Sequence, residues 1–416
     1  MIQNKRLTYL IAGSLFIASL PGMAQNNTAS PYSMYGIGIL NKKGDVINAG
    51  MGYTGVSMAS QGYLNTLNPA SYSALDSMTF LFNIQASGTF GQYETNRQSQ
   101  TNFGSNIDGL SFGFKVSDKW GMNIGFSPYS SIGYSIKSDK YIIGTGTTYP
   151  VEYSGEGGLT QAYWGNGIEL FKGFSMGLNL SFVWGSIENI ESSFYPEITG
   201  ETIHNRKSHH VNNLYLEYGF QYHLPIEKNT LSLGAVMNTK TNLNTTYEHS
   251  IYTDGGQDYF FESKNADDLL IPMNYATGIS YQTHTGWILA MDYHHSQWSS
   301  FEESMTSAEY RNTNNYQVGI QYAPQRMGYK SIFRRMQYRA GAFYSDNYLT
   351  LNGVDLNEKG FTMGLSIPIR QKTLLNVAYE YKQGGSLQSG LIRETYNSLK
   401  VGITFNENWF KKQLFQ

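Results

Sequence analysis

The stretch FSMGLNLSFVW, residues 174–184, alternates apolar side chains with polar or small ones. Its even positions are apolar from Phe174 to Trp184, and its odd positions are polar or small from Ser175 to Ser181. Successive side chains of a strand point to opposite faces, so this stretch predicts a strand with one apolar and one polar face. Its length suits a tilted strand that crosses a bilayer in about 9–11 residues, whereas strands of soluble sheets usually have about 5–6.

The same two-residue period recurs along the chain, for example in residues 78–86, 214–224 and 361–369. Counting such segments predicts about fourteen strands, an even number as expected of bacterial single-chain barrels. The segments start near residues 78, 106, 119, 148, 174, 211, 229, 273, 286, 314, 337, 360, 373 and 395. The fourth segment, residues 148–171, is unusually long and glycine-rich, which predicts a kink or a division into two pieces.

The links between these segments alternate between short and long. Short links include residues 117–119, 172–173, 226–229 and 283–285, and one longer link on the same side, residues 324–336, is basic. Long polar stretches lie near residues 94–103, 138–147, 189–210, 247–271, 299–312, 349–359 and 385–394. Short turns on one side and long loops on the other are typical of outer-membrane barrels. We therefore predict an all-β transmembrane antiparallel barrel over residues 78–405, with an N-terminal plug and a periplasmic tail at 406–416.

Composition agrees with this fold class and excludes several others. Charged residues make up 14% of the chain against roughly 25% in average proteins, whereas 33 tyrosines and 44 glycines are present. The absence of cysteine excludes disulfide frameworks and thiolate sites, and a net charge of -2 gives no electrostatic footprint for nucleic acid. A soluble exported β-sandwich is the alternative, but amphipathic strands of this length would expose too much apolar surface to water.

Residues 1–24 have the pattern of a secretory signal peptide. Lys5 and Arg6 precede an uncharged apolar run from Leu7 to Leu20, and small residues precede Gln25. The run is shorter than the ~20 residues of a membrane-spanning helix. The sequence therefore predicts export to the cell outer membrane of a Gram-negative bacterium.

Residues 25–77 lack clean alternation and are rich in glycine and small residues. The glycine-rich stretch 50–57 and the motif Asn68-Pro69-Ala70, followed by the strand pattern, resemble the long-chain fatty-acid transporter family, the FadL and TodX group. The segments 292–299 and 396–405 are similar to this family as well. The resemblance implies a hatch at residues 25–77 that plugs the barrel, hydrophobic ligands that enter from outside, and a lateral exit into the membrane.

The final segment, residues 395–405, ends its alternation on an aromatic residue, Phe405. It resembles the C-terminal strand that the outer-membrane barrel assembly machinery recognises. The expected partners are therefore this machinery, outer-membrane lipid and a hydrophobic small-molecule ligand.

Alternation also assigns side chains to the inward face of the barrel. This face predicts lumen residues of both kinds, apolar ones suited to an apolar conduit and charged ones suited to a polar lumen. The candidates are Glu217, Ile288, Asp292, His294, Arg339, Phe343 and Glu380.

No motif predicts a catalytic, metal or cofactor site. Gly50 to Gly55 has dinucleotide-binding spacing but no preceding strand, and Ser111 lies within an alternating strand rather than on a nucleophile elbow. The leading hypothesis is a passive, hatch-gated channel for hydrophobic or amphipathic small molecules. The alternatives are a partner-binding or cargo-binding barrel associated with secretion, then a diffusion porin, then an enzyme.

Overall fold

The computed structural model of the chain describes residues 30–141, 147–194, 200–266, 269–301, 308–324, 331–369 and 373–408. The predicted signal peptide lies outside these residues, as do residues 409–416 of the predicted tail, whereas its first residues, 406–408, belong to the last strand of the barrel. Among the described residues, no helix is long and apolar enough to cross a membrane.

Fourteen antiparallel strands form a closed barrel, which confirms the predicted fold class. In chain order they are β1 Thr79–Glu94, β2 Ser99–Ser117, β3 Trp120–Tyr141, β4 Thr148–Phe171, β5 Phe174–Phe194, β6 Thr202–Ile226, β7 Asn229–Asn238, β8 Asn274–Gln282, β9 Trp287–Ser296, β10 Thr313–Tyr322, β11 Gln337–Ser345, β12 Glu358–Pro368, β13 Leu374–Gly385 and β14 Arg393–Asn408. Each strand pairs with the next along the chain. The barrel closes where β1 pairs with β14, from Thr79 opposite Asn408 to Glu94 opposite Arg393.

The apolar face of each strand points outward, the reverse of a soluble protein. In β5, Met176, Leu178 and Phe182 are exposed, whereas Asn179 and Ser181 on the other face are buried. Bilayer hydrocarbon rather than a protein core therefore covers the apolar face of these strands.

The hatch segment, as we call residues 30–77, contains only short elements. They are a 3-10 helix at Pro31–Met34, a two-residue strand at Ile39–Leu40, an α-helix at Val46–Ala49 and a 3-10 helix at Pro69–Ala74. Asp45 caps the α-helix through a capping box with Asn48, and Asn68 caps the second 3-10 helix, which begins at Pro69. Side-chain caps are needed because helices this short leave most of their terminal N–H groups without a helical partner.

Strands β3 to β6 continue far beyond the bilayer on the side of the long loops. A hairpin of two further strands, Thr245–Thr253 and Asp258–Ala266, pairs along the outer half of β6 and extends this sheet. We call this sheet, with the outer halves of β3 to β6, the external wall. The expectation of loops at 189–210 and 247–271 was therefore wrong for most of these residues. Alternation fades there because water, not lipid, covers the outer face.

The fourth strand is continuous over 24 residues, so its division into two pieces was wrong. Gly157 and Gly158 have φ values of 105° and 140°, and Gly185 of β5 has 155°. These values are accessible mainly to glycine, so the strands can bend here without losing their pairing.

Ion pairs link the solvated strands of the external wall. Lys140 Nζ lies 2.5 Å from Glu191 Oε1, and Arg206 Nη2 lies 2.7 Å from Glu188 Oε2. His204 Nε2 lies 2.7 Å from Asp254 Oδ1, and this hydrogen bond lowers the pKa of Asp254. Each exposed pair contributes little stability alone, but together they favour this strand register.

Small elements from several loops cover the outer mouth of the barrel. Two strands, Thr241–Asn242 and Leu270–Ile271, pair with each other, and three more, Ala308–Tyr310, Leu349–Leu351 and Val354–Asp355, form a second small sheet. Short 3-10 helices lie at Trp298–Ser300, Ile332–Arg334 and Gln388–Gly390. Trp298, Leu243 and Ile271 pack with Tyr32 and Ile37 of the hatch segment in one buried apolar cluster. The mouth therefore has a hydrophobic core of its own.

The pairing of β14 predicts which C-terminal truncations the barrel tolerates. Removal of residues 409–416 leaves every β1–β14 pair intact, whereas removal of 405–416 deletes the last pairs and the contact of Phe405 with Phe82. We expect the shorter deletion to give normal amounts of barrel and the longer one to reduce them strongly. The heat-dependent mobility shift of folded barrels on denaturing gels measures this, and equal amounts from both would contradict the prediction.

Candidate functional site

The backbone of the hatch segment lies directly against the inward faces of the strands. A Cβ atom at Gly177 would meet the backbone of Pro69 and Ala70, and one at Gly341 would meet that of Met51 and Gly52. Similar glycines line most of the other strands where they face this segment. They are Gly113, Gly121, Gly165, Gly167, Gly219, Gly234, Gly278, Gly319, Gly364 and Gly402. We call this set, with Gly177 and Gly341, the glycine girdle.

The three strands without a girdle glycine, β1, β9 and β13, contact the hatch segment through side chains. Gln85 of β1 donates to the carbonyl of Gly44 at 3.4 Å, Asp292 of β9 accepts from backbone amides, and Glu380 of β13 binds Lys42. All fourteen strands therefore touch the hatch segment, and it spans the full width of the lumen.

Gly52 shows why this contact requires glycine on the hatch side too. Its φ is 68°, and a Cβ there would lie 2.8 Å from the carbonyl oxygens of Val318 and Ala342. Its amide donates to Thr362 Oγ1 at 2.8 Å. A larger residue would be strained in its backbone and would collide with two strands.

The motif Asn68-Pro69-Ala70 joins two parts of the hatch segment to the barrel. Asn68 Oδ1 accepts from the amide of Ala70 at 3.0 Å. Its Nδ2 donates to the carbonyl of Val56 at 2.7 Å and to that of Phe220 at 3.0 Å. A fully buried side-chain amide therefore holds one turn of the hatch segment against β6.

Asp292 is buried and accepts two backbone hydrogen bonds from the hatch segment. The amides of Gly55 and Val56 donate to its Oδ2 at 2.6 Å and 2.9 Å. Hydrogen bonds to a charged acceptor are stronger than neutral ones, so this carboxylate fixes the chain at Gly55.

Two lysines of the hatch segment pair with buried carboxylates of the barrel. Lys42 Nζ lies 3.4 Å from Glu380 Oε1, and the Tyr53 hydroxyl donates to the same carboxylate. Lys43 pairs with Glu217, which also accepts from Asn179 at 3.1 Å. Removing one partner would leave an uncompensated buried charge, so these pairs oppose withdrawal of the hatch segment.

The remaining candidate residues take different positions. Phe343 packs edge-on against Tyr53 with ring centroids 6.0 Å apart, and Ile288 packs against the cluster of Met51, Met58 and Ala290. Arg339 donates to Gln321 and Ser366, both at 2.6 Å, so it bridges β10, β11 and β12. His294 lines a cavity above the hatch segment.

One seam in the barrel wall is open. Strands β2 and β3 pair only between residues 110–117 and 120–126, although both continue outward. A bulge at Asp108 interrupts the β1–β2 register, and one at Tyr129 interrupts the β3–β4 register. Because bulges bend strands and increase their twist, β2 and β3 diverge above this point.

The hatch segment covers part of the β3 edge that the seam exposes. Ile39 and Leu40 pair with Ser131 and Ser130, and the Asn41 amide donates to the carbonyl of Tyr129 at 3.0 Å. Farther out, the Gly133 amide donates to Ser33 Oγ at 3.1 Å. This segment therefore satisfies backbone groups that the missing β2 pairing would leave free.

A cavity of about 380 Å³ lies between the hatch segment and the loops over the mouth, and it reaches the seam. Residues from both seam edges line it, including Leu110 of β2 and Ser127 of β3. Its lining combines apolar with polar surface, and its charged residues are Lys42, Lys43, Asp45, Asp108, Glu217, Asp346, Glu358, Glu394 and Lys400. A purely apolar ligand would remove water from the polar part of this lining without offering it a hydrogen bond, which is unfavourable.

Sequence reasoning missed the girdle and the seam. The sequence does contain a pattern that indicates the girdle, because its glycines repeatedly occupy the polar positions of the alternating strands. The bulges at Asp108 and Tyr129 appear in sequence only as a shift of phase, which other irregularities also produce. Among the described residues, no group of three or more His, Asp or Glu side chains could hold a metal ion.

Solved structures with this fold include a toluene transporter and a channel for monoaromatic hydrocarbons. The Ralstonia pickettii toluene transporter TbuX superposes with a TM-score of 0.62 at 13% identity, covering 89% of this chain and 99% of that one. The monoaromatic hydrocarbon channel CymD gives 0.59 at 14% identity, covering 89% and 100%. A Pseudomonas aeruginosa FadL homologue gives 0.60 at 13% identity, covering 89% and 99%. At these identities the likeness establishes the fold.

The family model described as BamG matches residues 1–416. No curated protein matches this chain.

The contacts of Asp292 predict how firmly the hatch segment is held. Asp292→Ala leaves two buried amides without an acceptor, each costing about 1–3 kcal/mol. We expect faster hydrogen exchange in residues 50–60 with the barrel still folded. Asp254→Ala, at the exposed end of the external wall, should leave exchange there unchanged, and unchanged exchange in Asp292→Ala would contradict the role of this carboxylate.

Proposed function

We propose, from the premise that this chain belongs to the BamG family, that it is a closed outer-membrane barrel whose external wall holds a protein partner. The family name links the chain to the barrel assembly machinery, so the proposed partner is a protein subunit of that machinery. The observation that carries the proposal is a strand with three exposed aromatic residues at the edge of the external wall.

The closed lumen supports a binding role over free diffusion. The hatch segment contacts every strand of the barrel, and an apolar cluster covers the outer mouth. A diffusion porin requires a continuous aqueous lumen, whereas here the hatch segment interrupts the lumen at the level of the girdle.

The edge strand, Asp258–Ala266, supports a protein partner. Among the described residues it pairs with one strand only, Thr245–Thr253. Its side chains Tyr259, Phe260 and Phe261 are 56%, 42% and 66% exposed. Natural sheets usually protect such edges, and adding a strand from a partner is a common mode of protein recognition.

The position of this edge also favours a protein rather than lipid. The hairpin 245–266 pairs with the outer end of β6, residues 203–211, whereas the bilayer-spanning end of β6 pairs with β7. Charged side chains flank the aromatics, among them Asp258, Glu262 and Lys264. Tyr259 and Phe261 share one face of the strand and Phe260 lies on the other, so both faces of this edge offer aromatic contact area, and aromatic residues are enriched in protein interfaces.

The partner-binding proposal predicts the effect of removing the edge aromatics. Replacing Tyr259, Phe260 and Phe261 by Ser keeps the backbone but removes the apolar contact area. Because central aromatic residues of interfaces often contribute about 2 kcal/mol or more, we expect machinery subunits co-purified from native membranes to fall about tenfold or more. Quantitative mass spectrometry of the co-purified proteins measures this.

Tyr141→Ser is the matched control, because Tyr141 is an exposed aromatic of the same wall on another strand. It should retain the wild-type partners. Undiminished co-purification by the triple variant would place the interface elsewhere, and absence of machinery subunits from the wild-type preparation would refute the proposal.

A second candidate function is a channel for hydrophobic or amphipathic small molecules, gated by the hatch segment and emptying sideways. The open β2–β3 seam favours it, because a lateral gap lets an apolar solute reach lipid without crossing water, gaining about 0.8 kcal/mol per CH₂ buried. The shared fold with hydrocarbon channels also supports it.

The channel candidate predicts the effect of filling the seam. A side chain at Gly109 would point at Phe126 and Ser127 across the gap, so Gly109→Trp should obstruct it. If the protein conducts hydrophobic compounds, uptake of a fluorescent fatty acid into liposomes should fall severalfold in this variant. Gly62→Trp, at an open position of the hatch segment, is the control. No uptake above protein-free liposomes would remove this candidate.

A further inference from the structure

The cavity above the hatch segment presents hydrogen-bond acceptors that the protein itself leaves unsatisfied. His294 of β9 and Asn315 of β10 lie opposite each other, and Gln317 follows on the same face of β10. Asn315 Oδ1 is buried and has no hydrogen-bond partner among the described residues, whereas the side chains of His294 and Gln317 interact with each other. Asp45 Oδ2 lines the same cavity and also lacks a partner among the described residues.

Both of these unpaired atoms are oxygens that can only accept hydrogen bonds. Unpaired buried acceptors are unfavourable, so native structures place a donor against them. The cationic donors that line the cavity, Lys42, Lys43 and Lys400, are already paired with Glu380, Glu217 and Asp108. The cavity therefore suits a ligand group that brings its own N–H or O–H donors.

The route into this cavity passes through the seam at the outer surface of the bilayer. About nine residues of β2 separate its periplasmic end from the bulge at Asp108, which corresponds to roughly 23 Å of height for a strand tilted by about 40°. The apolar band of such barrels is about 25 Å tall. The seam thus opens close to the level of lipid head groups, not in the middle of the hydrocarbon.

The outer face beside the seam is apolar where the inside is polar. Ile107 and Phe103 of β2 are 60% and 53% exposed, and Phe90 of β1 packs against Phe103 with tilted rings whose centroids lie 4.7 Å apart. Leu110 and Phe126 flank the start of the gap on its two sides. An acyl chain could lie along this surface while its head group passes inward.

We propose that the cavity binds the hydrogen-bond-donating head group of a membrane amphiphile, whose acyl chain remains outside the β2–β3 seam. The head group is an ammonium or a sugar hydroxyl group, since both donate to carbonyl and carboxylate oxygens. This site shares no residues with the edge strand of the external wall, so the lipid proposal and the protein-partner proposal can be tested separately.

The test compares lipids that differ only in donors. The full-length protein, purified in detergent, is exposed to phosphatidylethanolamine, to phosphatidylcholine or to a glycosyl diacylglycerol with matched acyl chains, and retained lipid is quantified by native mass spectrometry. Phosphatidylcholine has the same charges as phosphatidylethanolamine but no N–H donor. We expect phosphatidylethanolamine, the glycolipid or both to be retained about tenfold more than phosphatidylcholine.

The matched variants locate the site. The double variant Asn315→Leu and Gln317→Leu removes two amide acceptors of the cavity with little change in volume, and it should abolish the preference over phosphatidylcholine. Gln257→Leu, in an exposed turn, should preserve it. The heat-dependent gel shift shows whether the double variant folds. If it does not, Gly109→Trp replaces it in the test. This variant blocks the seam without touching the acceptors, and it should also abolish the preference.

Two results would overturn the proposal. One is equal retention of phosphatidylcholine and both donor lipids by the wild-type protein. The other is an unchanged preference in the folded double variant. Retention of phosphatidylethanolamine alone supports an ammonium head group, and retention of the glycolipid alone supports a hydroxyl head group.

Discussion

Backbone contact between the hatch segment and the inward faces of the strands is the constraint on which the rest of the structure depends. The girdle glycines let the chain around Met51, Val56 and Pro69 approach to within van der Waals distance of the barrel. At that distance backbone amides and carbonyls must find partners, which Asp292, Asn68 and Thr362 supply. Close packing and polar satisfaction therefore occur at the same level of the barrel.

This arrangement distinguishes the interior from a simple conduit. The fold is shared with channels for hydrophobic compounds, but fold alone does not determine function. Function depends on the residues of the site. In this protein the lumen holds charged pairs such as Lys43 with Glu217, and an apolar cluster covers the mouth above them. Apolar surface is available instead on the outside, around the seam and at the edge of the external wall.

Much of the fold was predictable because lipid imposes a strict two-residue period on every spanning strand. Residues 174–184 show this period, and the count of fourteen strands follows from its repetition. Residues 202–210 and 245–266 also form strands, but their outer faces meet water, so polar residues are tolerated on both sides and the period weakens. Inward placement of Asp292 and Glu380 follows from the same alternation. The alternation does not predict that these carboxylates bind Gly55 and Lys42, because contacts between residues hundreds of positions apart leave no periodic signal.

The girdle has a consequence for how the protein is made. Girdle glycines that contact the hatch segment on eleven of the fourteen strands leave no clearance through which a folded hatch segment could slide into a finished barrel. Ile39 and Leu40 also supply part of the edge against which β3 is completed. We therefore expect the first part of the chain to enter the barrel before β14 pairs with β1 and the wall closes.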